Sequence, residues 1–385
     1  MKSNYKTIED LVIRIDERNF NNETDILLGV SIDKCFIPSV ANTIGTDLTK
    51  YKLIRKNDFA VSLMQVSRDS RIPIARQKGF EVAMMSPAYP IFRVKNPDEI
   101  LPEYLEMWFK RDEFDREAAF IAVGGVRGSM PWNEFAQMQV HVPQIDEQRK
   151  IVEAYKVVED RIELKRKIND NLVATALTIY KSFFVDFEPF GFSQPDTWQE
   201  VTVDDISIDV ICGKTPPTAD SENYGGNIPF ITIPDMHGSV YTTSTERFLS
   251  EKGVATQANK TLPENSICVS CIASVGLVCL TAEPSQTNQQ INSIVCKKNI
   301  SPFYIYIKMT TLTDHLKQLG AGGSTTLNVN KTLFGQIPIL LPDETVMKEF
   351  HRKVKPLFSA IRKNQYEMQH LESLKSLLLT QISSR

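Results

Sequence analysis

Two stretches of the sequence decide the fold: residues 146–182, DEQRKIVEAYKVVEDRIELKRKINDNLVATALTIYKS, and residues 343–385, DETVMKEFHRKVKPLFSAIRKNQYEMQHLESLKSLLLTQISSR. A shift of 199 positions, which carries Ile151 onto Phe350, superimposes them. Alternating steps of four and three residues select ten positions in each stretch, and eight of the ten are apolar in both. Such spacing, held for more than four heptads, is typical of a coiled-coil seam. The seam positions are Ile151, Tyr155, Val158, Ile162, Lys165, Asn169, Leu172, Ala176, Ile179 and Phe183 in the first stretch, and Phe350, Val354, Leu357, Ile361, Asn364, Met368, Leu371, Lys375, Leu378 and Ile382 in the second.

Each stretch predicts one long helix. At about 1.5 Å per residue, ~36 helical residues make a rod of roughly 54 Å, longer than a small domain. Asp146 and Asp343 follow prolines closely and are predicted N-caps. Pro356 lies inside the second stretch, where its ring should bend the axis or mark a later start of the helix. The alternative is two unrelated long helices, each packed on its own domain.

Polar residues interrupt both seams at equivalent layers. If the helices pack antiparallel, the fifth layer of one meets the sixth layer of the other. Asn364 should then face Asn169, and Lys165 should meet Met368. A buried amide pair fixes the register of two helices because a slip leaves both amides unpaired. The alternative is that these polar positions are solvated.

The segments before the two helices also repeat, more faintly. Residues 57–62, NDFAVS, correspond to residues 265–270, NSICVS, and each segment later passes a glycine-rich turn, a Phe and an apolar-Pro ending. Both mix short β-branched runs with Gly, Pro and Asn and a few helical stretches. We therefore predict an α+β protein with two similar β-rich domains joined by two long antiparallel helices with pseudo-two-fold symmetry. The predicted boundaries are 1–145 and 190–342 for the domains, and 146–189 and 343–385 for the helices.

Composition places the chain among soluble globular proteins. It has 385 residues, 42% of them hydrophobic and 24% charged, which favours two or three packed domains over disorder. We find no apolar run long enough for a membrane span, and the first five residues lack the apolar core of a signal peptide. Six irregularly spaced cysteines do not form a disulfide framework. These features predict a cytoplasmic protein.

Familiar enzyme motifs are incomplete in this sequence. Gly213-Lys214-Thr215 resembles the end of a phosphate-binding loop, but Ile208 replaces the glycine that such a loop needs. Asn227-Ile228-Pro229-Phe230 resembles the catalytic loop of amino-methyltransferases except at Ile228, and no Gly-x-Gly nucleotide loop accompanies it. Cys268 and Cys271 have the spacing of half a zinc site, but their apolar neighbours favour a buried strand. We therefore predict no catalytic residue, metal or cofactor.

Polar and basic clusters on predicted loops are the remaining functional candidates. Arg, Lys, Asn and Gln side chains match base edges in the DNA major groove, and Ser and Thr hydroxyls suit phosphates. Solvated turn-forming loops are the alternative. The candidate DNA-binding residues are Arg68, Arg71, Arg76, Arg127 and Ser129 in the first half, and Lys214, Thr215, Asn288, Gln289, Ser324, Thr325, Asn328 and Lys331 in the second.

The charge of the chain limits how strongly it binds DNA alone. Lys and Arg number 44 against 47 Asp and Glu, a net charge of −3, and neither predicted domain has a surplus of cations. Strong neutralisation of phosphates requires such a surplus. The isolated chain should therefore bind DNA weakly.

In its arrangement and motifs, the sequence resembles the specificity subunit of type I restriction-modification systems. The resemblance spans nearly the whole chain and is most specific in the second half; the first half lacks the Gly-Lys-Thr-Pro and Thr-Asn-Gln landmarks. The landmarks of the second half are Trp198, Gly213-Lys214-Thr215-Pro216, residues 224–230, Thr287-Asn288-Gln289 and residues 323–328.

The resemblance implies a non-catalytic subunit that binds double-stranded DNA. It implies two bound methyltransferase subunits and, in the full complex, restriction subunits that cut DNA and translocate it with ATP. Each domain would then read one half of an asymmetric, interrupted site, with the helices setting the gap. Two alternatives stay open at this point: a scaffold that binds only proteins, and a fragment of a fused restriction enzyme.

Overall fold

The computed structural model describes residues 4–39, 41, 45–64, 66–124, 128–321 and 327–382. Its contacts divide the chain into two compact units. Unit 1 comprises residues 1–160 and 372–385, and unit 2 comprises residues 161–371. Both units mix helices with β-sheets, which confirms the α+β class.

The described residues of unit 1 form three small sheets. Strands β1 and β10 pair antiparallel, β2-β9-β6-β7 is an antiparallel sheet, and β4-β3-β8-β5 includes the parallel pair β3–β8. The elements are β1 Tyr5–Thr7, α1 Ile8–Leu11, β2 Val12–Ile15, β3 Leu27–Val30, β4 Phe36–Pro38, β5 Lys52–Arg55, β6 Phe59–Val61, α2 Val66–Asp69, β7 Ile74–Arg76, β8 Val82–Met85, β9 Ile91–Val94, α3 Pro102–Phe109, α4 Asp112–Ile121, α5 Trp132–Gln137 and β10 Gln139–His141, followed by α6 Ile145–Phe184, which continues into unit 2.

Unit 2 repeats this plan with some longer strands, notably β12, β13 and β19. Strands β11 and β20 pair antiparallel, β12-β19-β16-β17-β14 is the main sheet, and β15-β13-β18 includes the parallel pair β13–β18. The elements are β11 Gln199–Thr202, α7 Val203–Ile206, β12 Ser207–Cys212, β13 Tyr224–Ile231, α8 Ile233–Met236, β14 Tyr241–Thr242, β15 Arg247–Leu249, α9 Glu251–Ala255, β16 Ile267–Ser270, β17 Val278–Thr281, β18 Gln286–Thr287, β19 Ile291–Cys296, α10 Pro302–Thr311, α11 Thr313–Gly320, α12 Lys331–Gly335 and β20 Pro338–Leu341, followed by α13 Glu344–Gln381, which ends in unit 1.

The repeat extends to local interactions at the starts of equivalent elements in the two units. Thr7 and Asp10 form a capping box on α1, and Thr202 and Asp205 form the same box on α7. Asn57 and Asn265 both have positive φ angles, 69° and 63°, and each lies two residues before a central strand, β6 or β16. The faint sequence echo around these two asparagines therefore reflects the same turn and strand in both units.

Each unit has its own aromatic core, and the long helices contribute to both cores. In unit 1, Phe59 stacks on Phe92 with ring centroids 5.3 Å apart, and Tyr155 of α6 is buried in the same core. In unit 2, the ring centroids of Phe184 in α6 and Phe350 in α13 are 5.0 Å apart. Burial of such large rings contributes strongly to the stability of each unit.

The two long helices differ in detail from the prediction. The first has 40 residues and begins at Ile145, so Asp146 lies in the first turn rather than at the N-cap. There its charge still complements the positive end of the helix dipole. The second has 38 residues and begins at Glu344, directly after Asp343, and it runs through Pro356 without interruption. Of the two predicted effects of Pro356, the later start is therefore wrong, and the bend of the helix axis stays a prediction.

Within unit 2 the helices pack antiparallel around a polar layer. The amide of Asn364 donates from Nδ2 to Oδ1 of Asn169 at 2.8 Å, and both residues are buried, as the seam register predicts. The ammonium of Lys165 donates to Asn364 Oδ1 at 2.9 Å and pairs with Glu367, the neighbour of Met368, at 2.9 Å. The position of Lys165 opposite Met368 stays a prediction.

The remaining predicted seam residues also lie on covered faces of the helices. Ile361 is fully buried, and Val158 and Ile162 are nearly so. Ile151 packs against the core of unit 1, and Leu172 and Leu357 pack against the core of unit 2. Met368 and Leu371 are half-buried.

Candidate nucleic-acid interface

The turn after β12 lies directly on the turn after β18 in unit 2. Lys214 donates its backbone N–H to the Thr287 carbonyl at 3.0 Å, and the Thr215 hydroxyl donates to Gln289 Oε1 at 2.6 Å. Gly213 makes this approach possible because a Cβ atom there would lie only 2.1 Å from the Asn288 carbonyl oxygen. The structure thus brings together two clusters that are 74 residues apart in sequence.

Asn288 organises this surface from inside. It is 8% exposed, its Nδ2 donates to Gln290 Oε1 at 3.0 Å, and its Oδ1 accepts the Gln290 N–H at 3.1 Å. Both ends of its amide are therefore used in holding the turn. Lys214 and Gln289 are exposed, and Thr215 is half-buried.

Asn328 lies on the same continuous backbone ladder. Cys271 donates its N–H to the Gln290 carbonyl at 2.8 Å, and the Cys271 carbonyl accepts the Val329 N–H at 2.9 Å. Asn328 is exposed and pairs with Ile272 through a β-bridge. The ladder joins the turns at Gln289 and Asn328 into one polar surface of unit 2.

The second cation among the predicted residues of the second half is Lys331. Lys331 is exposed at the start of α12, with its ammonium 3.4 Å from Asp209 Oδ1. Its charge is therefore partly offset by a neighbouring acid. Ser324 and Thr325 lie outside the described residues.

In unit 1 the glycine-rich turn packs on α2. Gly128 has a φ of +73°, and a Cβ atom there would lie 2.4 Å from the Ser67 hydroxyl and 3.4 Å from the Arg68 nitrogen. Met130 donates its N–H to the Leu63 carbonyl at 2.9 Å, which matches the Cys271–Val329 bond of unit 2. Arg68 and the half-buried Ser129 therefore lie on one surface. Arg127 itself is outside the described residues.

The basic residues of this surface differ in their availability. Arg68 is exposed but pairs with the neighbouring Asp69 at 2.7 Å. Arg71 is exposed, and its guanidinium lies 3.9 Å from Asp33. Surface pairs of this kind are weak and can be exchanged for a phosphate. Both residues can therefore still contact DNA.

Arg76 is placed differently. Its side chain is 9% exposed, and its guanidinium binds Glu103 at 2.7 Å and Glu106 at 2.9 Å. Burial alone would raise the pKa of Glu106, but Lys110, Lys78 and Arg76 outweigh it and lower that pKa to about 2. Arg76 is thus part of an internal charge cluster, and we leave it out of the proposed DNA surface.

Three exposed apolar residues of unit 1 did not stand out in the sequence: Met64, Phe120 and Val123. The available signal was that Phe120 and Val123 directly precede a glycine-rich turn.

Cys268 and Cys271 belong to the sheet interior rather than to the surface. Cys268 lies opposite Cys279 in the β16–β17 pair, and burial raises the pKa of Cys271 to about 12. Among the residues that the structure describes, no group of three or more His, Cys, Asp or Glu side chains is arranged to hold a metal ion. Likewise, no helix within the described ranges is long and apolar enough to cross a membrane.

Comparison with known proteins gives consistent matches. Residues 195–375 match the family described as "Type I restriction modification DNA specificity domain". The chain is 32% identical over 356 residues to the type I restriction enzyme HindI specificity subunit of Haemophilus influenzae, covering 74% of this chain and 78% of the relative. It is 24% identical over 304 residues to the MjaIX specificity subunit of Methanocaldococcus jannaschii, covering 74% of this chain and 69% of that relative.

The fold has a counterpart among solved structures. The crystal structure of the type I restriction-modification S subunit from M. genitalium aligns with a TM-score of 0.58 at 14% identity. The alignment covers 98% of this chain and 95% of that one. At this identity the likeness concerns the fold.

Proposed function

The chain belongs to the specificity subunits of type I restriction enzymes, and from this premise we propose that it selects the DNA sequence on which a restriction-modification complex acts. The single observation that carries the proposal is the duplicated plan. In each unit, a backbone hydrogen bond joins the segment that follows the central strand to the residues after the glycine-rich stretch, from Met130 to Leu63 in unit 1 and from Val329 to Cys271 in unit 2, and polar or basic side chains are exposed beside it. Two similar surfaces with different side chains suit an asymmetric site in two halves.

We propose that residues 1–145 read one half-site and residues 190–342 read the other. In the first domain, Arg68, Arg71, Arg127 and Ser129 are the proposed contacts. In the second domain they are Lys214, Thr215, Gln289, Asn328 and Lys331, together with Ser324 and Thr325, which lie outside the described residues. Asn288 supports the second surface by holding its turn.

The long helices have the proposed roles of setting the gap and binding two methyltransferase subunits. Exposed apolar side chains on them support the second role, because such side chains in clusters mark interaction surfaces. Unit 1 exposes Val157, Leu374 and Leu377, and unit 2 exposes Leu164, Ile168 and Leu177.

Catalysis belongs, in this proposal, to the partner subunits. The methyltransferase subunits would supply methyl transfer, and restriction subunits in the full complex would supply cleavage and ATP-driven translocation. The chain itself would work without a cofactor in the cytoplasm, where these partners and the DNA are found.

Retention of DNA by defined complexes tests the proposal. The chain alone should bind DNA weakly, because neither domain has a surplus of cations. The chain assembled with its methyltransferase subunits should retain DNA in a sequence-dependent way and methylate it. Methyl transfer by the rigorously purified chain alone, or assembly with the methyltransferase without any sequence preference, would contradict it. The second outcome would favour a protein-binding scaffold.

A further inference from the structure

A cleft opens in unit 2 beside the proposed DNA surface. It has a volume of about 590 Å³, and its lining includes Tyr224, Gly225, Glu246, Arg247 and Phe248. Glu246 and Arg247 are exposed, whereas Tyr224 and Phe248 are half-buried. We call this site the Arg247 cleft.

The charged groups of Glu246 and Arg247 are both free. Within the described ranges of the chain, neither side chain forms an ion pair or a hydrogen bond, and the two do not pair with each other. Arg247 differs in this respect from Arg68 and Arg71 of unit 1, which pair with acidic side chains, and from Lys331. The cleft therefore offers a hydrogen-bond donor and an acceptor to a ligand.

The backbone that carries these two side chains is fixed by its neighbours. Glu246 donates its N–H to Asp235 Oδ1 at 2.8 Å, and the buried Thr245 donates its hydroxyl to the Arg247 carbonyl at 2.6 Å. Arg247 is also the first residue of β15 and pairs there with Phe230 of β13. Residues on such a fixed strand are well placed to bind a ligand in one geometry.

The Arg247 cleft adjoins the proposed contact Gln289 through the sheet. Phe230, the partner of Arg247, also pairs with Gln286 of β18 on its other side. Two strand spacings therefore separate the backbones of Arg247 and Gln286, which amounts to about 10 Å. Gln289 follows Gln286 by three residues. A distance of about 10 Å corresponds to roughly three base pairs of DNA.

Hydrogen bonds also join the cleft to the turn that carries Lys214. The Tyr224 hydroxyl donates to the Pro216 carbonyl at 2.8 Å, and Asn223 Nδ2 donates to the Pro217 carbonyl at 3.1 Å. Pro216 follows Lys214 by two residues. The cleft is therefore continuous with the proposed DNA surface of unit 2.

The equivalent strand of unit 1 has no charged residue. Strand β4 pairs with β3, which pairs in parallel with β8, just as β15 pairs with β13 and β13 pairs in parallel with β18. Strand β4 consists of Phe36, Ile37 and Pro38. The charge at the start of β15 therefore distinguishes unit 2 from unit 1.

We propose that the Arg247 cleft reads a G·C base pair in the half-site of the second domain. Arginine can donate two hydrogen bonds to O6 and N7 of guanine, and glutamate can accept one from the N4 amino group of cytosine. Arg247 and Glu246 supply this combination, whereas a phosphate would suit Arg247 and be repelled by Glu246. This inference rests on the proposed function and adds the kind of base pair that the second domain prefers.

Replacing guanine with 7-deazaguanine tests the inference, because this change removes the N7 acceptor and keeps the pairing with cytosine. The full chain would be assembled with its methyltransferase subunits and bound to DNA that carries the analogue at one guanine at a time. At one guanine of the second half-site, the analogue should weaken binding roughly five-fold. In the Arg247→Ala variant, the analogue at that position should have no further effect.

Two more variants complete the test. Glu246→Ala should reduce the discrimination against an A·T pair at the same position, because the acceptor for the cytosine amino group is lost. Lys298→Ala is the matched control, since Lys298 is an exposed cation of unit 2 that follows β19 and does not line the cleft. This control should keep both the sensitivity to 7-deazaguanine and the discrimination against A·T.

Three results would overturn the inference. The first is a second half-site without a G·C pair, and the second is equal binding of guanine and 7-deazaguanine throughout that half-site by the unchanged protein. The third is an Arg247→Ala variant that binds all sequences less tightly but stays sensitive to the analogue, which would indicate a phosphate contact. All three leave sequence-specific binding intact, whereas failure of the proposed function would remove every sequence preference.

Discussion

Lys214 and Lys331 are the two cations of the proposed surface in unit 2, and Lys331 pairs with Asp209. Lys214 is the better target for a test. It is exposed, and among the described residues we find no acidic side chain within ion-pair distance of it. Lys214→Ala should weaken binding of the assembled complex to all sequences and reduce the salt dependence by about one phosphate contact. Affinity measured over a range of salt concentrations checks this.

Lys298→Ala is the matched control for Lys214→Ala. In the β12–β19 pair, Cys212 lies opposite Asn292 and Ser207 opposite Cys296. Lys298 therefore follows the end of the pair that is remote from Lys214. An equal loss of salt dependence in both variants would show that Lys214 has no special role.

Gly213 is the residue on which the geometry of this surface depends. Gly213→Ala would place a methyl group 2.1 Å from the Asn288 carbonyl oxygen, so the two turns must separate. We expect a cost of roughly 1–3 kcal/mol in stability and weaker reading of the second half-site. Thermal unfolding measures the loss of stability. Binding to DNA targets with changes in one half-site measures how well the second half-site is read. Gly79→Ala, where the nearest atom is 3.9 Å away, should be nearly neutral.

Glu106 should make stability depend on pH in acid. Its pKa is lowered to about 2 in the folded protein from an ordinary value of 4.5. Because the folded-state pKa is lowered, its contribution is complete above pH 4.5 and is lost as the pH falls towards 2, a change of roughly 3 kcal/mol. Glu106→Gln should lower the free energy of unfolding near neutral pH. It should also make that free energy fall less steeply as the pH drops from 4.5 towards 2. If urea unfolding shows the same loss of stability in acid for this variant, other carboxyl groups cause that loss.

The residue types in the sequence identified candidate DNA-binding residues, but they did not show which candidates are exposed and which are buried. Arg76, Arg68 and Asn288 belong to equally suitable residue types. The structure places Arg76 in an ion cluster and Asn288 inside a turn, whereas Arg68 is exposed. These differences depend on partners distant in sequence, such as Glu106 for Arg76, and a local pattern does not contain them. The exposed Phe120 was missed for the same reason.

At the scale of elements, the buried amide pair of the long helices makes a testable contribution. Asn169→Leu or Asn364→Leu alone leaves one buried amide without its partner, which costs about 1–3 kcal/mol. Changing both residues to Leu should restore or exceed the original stability, because an apolar layer needs no partner. Thermal unfolding of the three variants measures this. Asn171→Leu, at an exposed position of the same helix, should have little effect.

The same double variant tests the role of register. With the amide pair gone, slipped registers of the two helices are no longer penalised. We expect the assembled complex to methylate sites with a wider range of gap lengths. A double variant with unaltered gap selectivity would show that packing of the apolar seam alone fixes the register.

The elements differ in how well a sequence predicts them. The long helices were predictable because a heptad pattern is local and repeats many times. Strand pairing was not, since β13 pairs in parallel with β18 more than fifty residues away. The start of α6 was missed by one position because Ile145 also adopts helical geometry before Asp146.

At the scale of the whole molecule, the internal repeat was the decisive signal. It predicted two similar domains before any strand was placed, and the capping boxes at Thr7 and Thr202 show how far the repeat extends. The contact surfaces were less predictable, because the two units expose different side chains on the same plan. This difference is what an asymmetric target requires.

Mapping methylated bases after a domain exchange tests the central claim most directly. Residues 197–342 would be replaced by the equivalent residues of a relative, and the methylated motif would be determined for cells carrying each version. We predict that one half of the motif changes while the other half and the gap length persist. A motif that changes in both halves, or in neither, would contradict the claim that each domain reads one half-site.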